Sequence, residues 1–197
     1  GLASTSPLSR SPMDRLDEAL RTRFGLEAFR PWQREAIAAL LDGPRKVLAV
    51  APTGGGKSLC YQLPATLLEG TTLVVSPLIA LMDDQVRALE SRGIAATYIA
   101  STLSFDERIE RERKLADGAY QLVYLAPERL RNERLLALLA RIRTPLVALD
   151  EAHCISQWGH DFRPDYLALN QVLETLSPPR VLACTATATP AVRDEIV

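Results

Sequence analysis

Short, mostly apolar runs alternate with stretches of helical periodicity along the chain, and this alternation constrains the fold more than any other feature. The runs lie near 47–51, 72–76, 95–99, 121–125, 146–150 and 180–184. Several are apolar at nearly every position rather than every second one, which suits strands buried on both faces of a parallel sheet. Helical spacing is read near 13–23, 31–41, 57–69, 79–92, 105–117, 127–141, 165–176 and 190–197. The expectation is an α/β fold with a mainly parallel sheet covered by helices on both faces, in three layers. The 197 residues suit one domain with an ample core, and there is no internal repeat.

The run Val47-Leu48-Ala49-Val50-Ala51 leads into Pro52-Thr53-Gly54-Gly55-Gly56-Lys57-Ser58, after which Leu59, Leu63, Leu67 and Leu68 recur at helical spacing. Gly54, Gly55 and Gly56 allow backbone angles closed to other residues, so that amide N–H groups can point into one concave turn. A turn of this kind at a helix N-terminus binds phosphate oxygens. Lys57 is then expected to reach the β and γ phosphates and the Ser58 hydroxyl to bind magnesium. The pattern G-x-x-x-x-G-K-[ST] is kept except at its first position, where Ala51 replaces glycine. Pro64 is expected to bend the helix that follows.

Leu146-Val147-Ala148-Leu149 reads as another buried strand, with Asp150 and Glu151 at its C-terminal end. Ligands in open α/β sheets gather at that edge, so Asp150 and the glycine turn are expected side by side. Asp150 would hold magnesium, and Glu151 would orient or deprotonate an attacking water. His153 is assigned a coupling role between this site and whatever the hydrolysis drives. Together the two segments supply a phosphate cradle, a metal site and a carboxylate, the requirements of nucleoside triphosphate hydrolysis.

Composition narrows the setting. Hydrophobic residues make up 47% and charged residues 24% of the chain, as in globular proteins, and no apolar run approaches the roughly 18 residues of a membrane span. Residues 1–12 are rich in Ser and Pro and read as a flexible or cloning-derived segment, leaving 13–197 as the domain. Cys60, Cys154 and Cys184 are odd in number and far apart, which favours a reducing cytoplasm and offers no zinc site. With a net charge of −1, no bulk basic field advertises nucleic acid, and the Arg-rich 107–114 stretch reads as a salt-bridged helix face.

These motifs, in this order, resemble the first motor domain of RecQ-type DNA helicases of superfamily 2, from about Phe24 to the C-terminus. The resemblance rests on Phe24-Gly25 with Phe29-Arg30-Pro31-Trp32-Gln33, on residues 52–65, on Val75-Ser76-Pro77-Leu78-Ile79-Ala80-Leu81-Met82, and on Tyr124-Leu125-Ala126-Pro127-Glu128-Arg129-Leu130. It continues through the sixteen residues from Asp150 to Asp165, which hold a DEAH box and an aromatic-rich loop, to Thr185-Ala186-Thr187. The resemblance implies a RecA-like P-loop NTPase domain that uses ATP and Mg2+. Gln33 would read adenine through its amide, Arg30 would stack on the base or bind backbone carbonyls, and Leu26 sits where relatives carry a stacking aromatic. Thr53 and the three glycines would complete the phosphate site. Pro77, Leu78 and Arg129 would line a DNA track, and Thr185 and Thr187 would link hydrolysis to movement.

In the family the loop carrying Gln157, Trp158, Phe162 and Arg163 senses single-stranded DNA. The residues themselves allow base stacking by the aromatics, or simple anchoring of the loop on the core. The partners implied are single-stranded and duplex DNA and a second RecA-like domain that contributes an arginine finger, with no membrane. The implied setting is cytoplasmic, nucleoid-associated if bacterial, and the implied activity is 3′–5′ DNA unwinding in recombination and repair. An RNA helicase or duplex-DNA translocase would share the P-loop and DEAH box. A nucleotide-binding interaction module is a further alternative, disfavoured by Lys57, Asp150 and Glu151 occurring together.

Overall fold

A computed structural model describes residues 12–43, 45–51, 56–151 and 163–185, and of 12, 13 and 163–168 the backbone alone. In chain order the elements are α1 (Pro12–Phe24), α2 (Pro31–Asp42), β1 (Lys46–Val50), α3 (Leu59–Leu67), β2 (Thr72–Val75), α4 (Ile79–Ser91) and β3 (Ala96–Ile99). They continue with α5 (Phe105–Ala116), β4 (Leu122–Leu125), a 3-10 turn (Pro127–Arg131), α6 (Glu133–Arg141), β5 (Val147–Leu149), α7 (Arg163–Leu176) and β6 (Val181–Thr185). All six described strands are parallel, in the order β1-β6-β5-β2-β4-β3.

Successive side chains of a strand point to opposite faces, and both faces of this sheet are apolar. In β4, Leu122 and Tyr124 join a core with residues of α1 to α4, while Val123 and Leu125 join a second core. That second core takes Leu115 from α5, Leu130 from the 3-10 turn, Leu135 and Leu139 from α6, and Leu169 and Val172 from α7. The sheet is therefore the middle of three layers, as the run-and-helix alternation predicts. No described helix is long and apolar enough to cross a membrane.

The Arg-rich stretch is a charged face of α5. Ser104 caps it by accepting from the Glu107 N–H at 3.2 Å, and Arg113 pairs with Glu110 at 2.7 Å. Arg111–Glu107 and Lys114–Glu110 add looser pairs along the same helix.

Two expected boundaries are corrected. The helix expected over 127–141 is broken at Asn132, whose extended backbone separates the 3-10 turn from α6. The Asn132 side chain accepts the Leu135 N–H at 3.0 Å and starts a new helix. Asn132→Ala is expected to cost about 1 kcal/mol of stability in urea unfolding, since it orphans that amide. The helix expected from 57 begins instead at Leu59, leaving Lys57 and Ser58 in the preceding turn. The expected helix over 190–197 lies outside the described residues.

A candidate nucleotide site at the carboxyl edge of the sheet

β1 ends at the carboxyl edge of the sheet, where the glycine motif follows it in the chain. Ala51, just past the strand, is buried and donates its N–H to the Thr185 carbonyl at 3.1 Å, which ties the entrance of the turn to the end of β6. Gly56 has φ +81°, a left-handed conformation open to glycine, and a Cβ there would stand 2.5 Å from Gln33 Nε2. The backbone angle favours glycine at this point of the motif, and a side chain there would displace the Gln33 amide from the Gly56 carbonyl.

Lys57 follows with 7% exposure. Its Nζ has no hydrogen-bond partner among the described residues and lies 3.7 Å from Glu151 Oε1. A buried ammonium with three donors and so little to donate to suits an anion, such as a phosphate, entering beside it. Ser58 occupies the residue before α3 without a side-chain cap bond, and its carbonyl accepts from the N–H groups of Tyr61 and Gln62.

Asp150 and Glu151 come from the end of β5. The Asp150 N–H continues the ladder by donating to the Val75 carbonyl at 2.8 Å, and Asp150 Oδ1 accepts the Glu151 N–H at 3.1 Å. Glu151 adopts φ +54°, a left-handed conformation unusual for a side-chain-bearing residue, which turns its carboxylate toward Lys57. β1 and β5 are not neighbours, because β6 lies between them. The turn after β1 and the carboxylates after β5 nonetheless converge on one cavity of about 280 Å³, lined on this side by Gly56, Lys57, Ser58, Asp150 and Glu151.

The cavity extends past the carboxylates to Tyr61, Ser76, Met82, Gln85 and Tyr124. None of these was singled out as a site residue in the sequence; only their place within or near the glycine-turn and Pro77 motifs hinted at them. Burial raises the Tyr61 hydroxyl well above its ordinary range, with Tyr124 and Asp150 adding to the shift. Tyr124 is raised chiefly by burial as well, so both stay neutral near pH 7.

The other expected site residues fall in distinct places. Gln33 is buried, with Nε2 donating to the Gly56 carbonyl and Oε1 accepting the Arg30 N–H, both at 2.9 Å. Its amide therefore ties α2 to the glycine turn. Arg30 is exposed at the start of α2, and Leu26 is 47% exposed. Pro77 and Leu78 follow β2, with the Leu78 N–H donating to Ser76 Oγ at 3.2 Å, and Leu78 lines the same cavity. Arg129 lies in the 3-10 turn after β4, half-buried, its Nε without a hydrogen-bond partner among the described residues. Thr185 is fully buried at the end of β6. Arg163 is the first residue of α7. Thr53, Gly54, Gly55, His153, Gln157, Trp158, Phe162 and Thr187 lie outside the described residues.

The donor set fits a nucleoside triphosphate with magnesium. Magnesium is commonly held by one or two carboxylates, a hydroxyl and substrate phosphates. Asp150 and Ser58 are of that kind, and Lys57 supplies positive charge for the phosphates. A glycine turn ending in a buried lysine, with an acidic pair at the same edge of a parallel sheet, defines a P-loop nucleoside triphosphatase of the RecA-like kind.

The chain belongs to the DEAD/DEAH box helicase family, whose model matches residues 30–196. It is 51% identical over 185 residues to the ATP-dependent DNA helicase RecQ of Bacillus subtilis (strain 168), covering 93% of this chain and 31% of that protein. It is 44% identical to the ATP-dependent DNA helicase RecQ of Pasteurella multocida (strain Pm70), covering 97% of this chain and 29% of that protein. The chain thus spans about three-tenths of the length of these relatives. In fold it is similar to a hypothetical ATP-dependent RNA helicase from Sulfolobus tokodaii, with a TM-score of 0.73 and 23% identity over 93% of this chain and 53% of that one. Membership in this family implies the use of ATP.

Proposed function

We propose that residues 13–197 form the first RecA-like motor domain of a longer ATP-dependent DNA helicase, which translocates 3′ to 5′ and opens duplex DNA in recombination and repair. The approach of Lys57 Nζ to Glu151 Oε1, 3.7 Å apart across a cavity shared with Ser58 and Asp150, carries this reading. Bound magnesium would draw charge from the phosphates. Ser58 and Asp150 would hold the metal, Lys57 would balance charge on the terminal phosphates, and Glu151 would orient water and accept its proton. Gln33, Arg30 and Leu26 would face the base, with Gln33 exchanging a backbone partner for adenine. Thr53, Gly54, Gly55 and Gly56 would offer backbone donors, and His153 would relay the state of the site.

DNA would run over the carboxyl edge, past Pro77, Leu78 and Arg129, with Gln157, Trp158, Phe162 and Arg163 sensing the strand and Thr185 and Thr187 linking it to hydrolysis. A second RecA-like domain would complete the site with an arginine finger, worth about 10³–10⁵ in rate. The setting would be the cytoplasm, at the nucleoid in a bacterium.

The test is ATP turnover by this chain with and without single-stranded DNA, with Lys57→Ala as the control. Very low turnover in both conditions, restored in a longer protein carrying the second domain, is expected. Strong DNA-stimulated turnover by the chain alone, abolished by Lys57→Ala, would remove the need for a second domain.

A further inference from the structure

The wall of the cavity remote from Lys57 is built from α3, α4 and β4, and a hydrogen-bonded cluster joins all three. Gln62 lies on α3, four residues beyond Ser58, and its N–H donates to the Ser58 carbonyl at 2.9 Å. Its side chain is 8% exposed, and Nε2 donates both to Gln85 Oε1 of α4 at 3.1 Å and to the Tyr124 hydroxyl of β4 at 3.0 Å. One amide nitrogen has two protons, so both of its donors are committed. The Tyr124 ring also meets that of Tyr61, the residue before Gln62, edge to face at 6.2 Å.

The three elements have different destinations. α3 begins at the phosphate turn, α4 follows Pro77 and Leu78, and β4 runs directly into the 3-10 turn that carries Arg129. Gln62 is thus bonded at once to the helix that holds the nucleotide turn and to the two elements leading to the segments assigned to DNA. A buried amide is costly to leave unpaired, so a shift of α3 relative to α4 must carry Gln85 along or break the part-buried Gln62–Gln85 bond. Displacement of α3 is therefore felt at α4 and β4 through these bonds.

We propose that Gln62, through Gln85 and Tyr124, is a positioning residue that makes ATP hydrolysis at Lys57 and Glu151 respond to DNA on the carboxyl edge. The proposal rests on the ATP-driven DNA motor reading and adds to it the path within this domain. It assigns no contact with nucleotide or DNA to Gln62 itself.

The test measures the ratio of DNA-stimulated to DNA-independent ATP turnover in the full-length protein, for wild type, Gln62→Met, Gln85→Met and the double variant, with thermal midpoints recorded alongside. Methionine keeps the length of the side chain and removes its hydrogen bonds. Each single variant is expected to lower the ratio roughly fivefold, and the double variant no further, because one linkage is cut either way. A merely structural role lowers both turnover rates together with the midpoint and leaves the ratio intact, which overturns the proposal. So do losses that multiply in the double variant, since they show two independent effects. Wild-type turnover that Lys57→Ala abolishes but DNA does not stimulate overturns the DNA motor reading and this proposal with it. Stimulation intact in both wild type and variants removes this proposal alone.

Discussion

Lys57→Ala is expected to lower ATP turnover of the full-length protein by about 10²–10³-fold, because under the proposed function it would delete a preorganised charge facing the transferring phosphate. Lys57 is buried at 7% exposure, and its Nζ has Glu151 at 3.7 Å and no hydrogen-bond partner among the described residues. A lysine kept only for structure would be expected to have its donors satisfied once buried. Nucleotide affinity should fall as well, since the same charge acts on the ground state. Steady-state turnover, with titration of a fluorescent ATP analogue, separates the two effects. Turnover within about threefold of wild type, a change of less than 1 kcal/mol in the barrier, would reduce Lys57 to the partner of Glu151.

Glu151→Gln separates hydrolysis from binding. Glutamine has the same shape, can occupy the backbone at φ +54° as glutamate does, and can still reach Lys57 with its amide oxygen. What it lacks is the ability to accept a proton from water. Turnover is expected to drop by about 10²–10⁴-fold, the usual contribution of a general base, while the analogue binds as tightly as before or more so. The two variants should therefore diverge in the binding titration while both fail in turnover. Equal loss of binding in both would mean that Glu151 serves the site chiefly through its ion pair.

Much of the architecture was legible along the chain because its signals are local. Six apolar runs became the six described strands, within a residue or two of their expected bounds, since strands buried throughout, as β2, β4, β5 and β6 are, must be apolar at nearly every position. The helix starting at residue 31 was legible for the same reason, its apolar positions repeating at helical spacing. Asn132 was harder to read. It interrupts a stretch whose apolar spacing continues on both sides, and only its extended backbone and its bond to Leu135 show that a new helix starts there. Lys57 and Ser58 likewise carry no mark that would exclude them from the helix. Their place in the turn depends on Gly56, held at positive φ with its carbonyl bonded to Gln33.

The sequence by itself determined the class of fold, the glycine turn with Lys57 and Ser58, and the carboxylates Asp150 and Glu151 at a strand's end. Each is written in residues close together, where period and chemical type suffice. Only the tertiary structure decided that β6 separates β1 from β5, that Gln33 grips the glycine turn from 23 residues away, and that Gln62 meets Tyr124 across 62 residues. The physical reason is that apolar strands are nearly interchangeable in hydrogen bonding. Their order, and the side chains that order brings together, follow from packing the whole chain around one sheet.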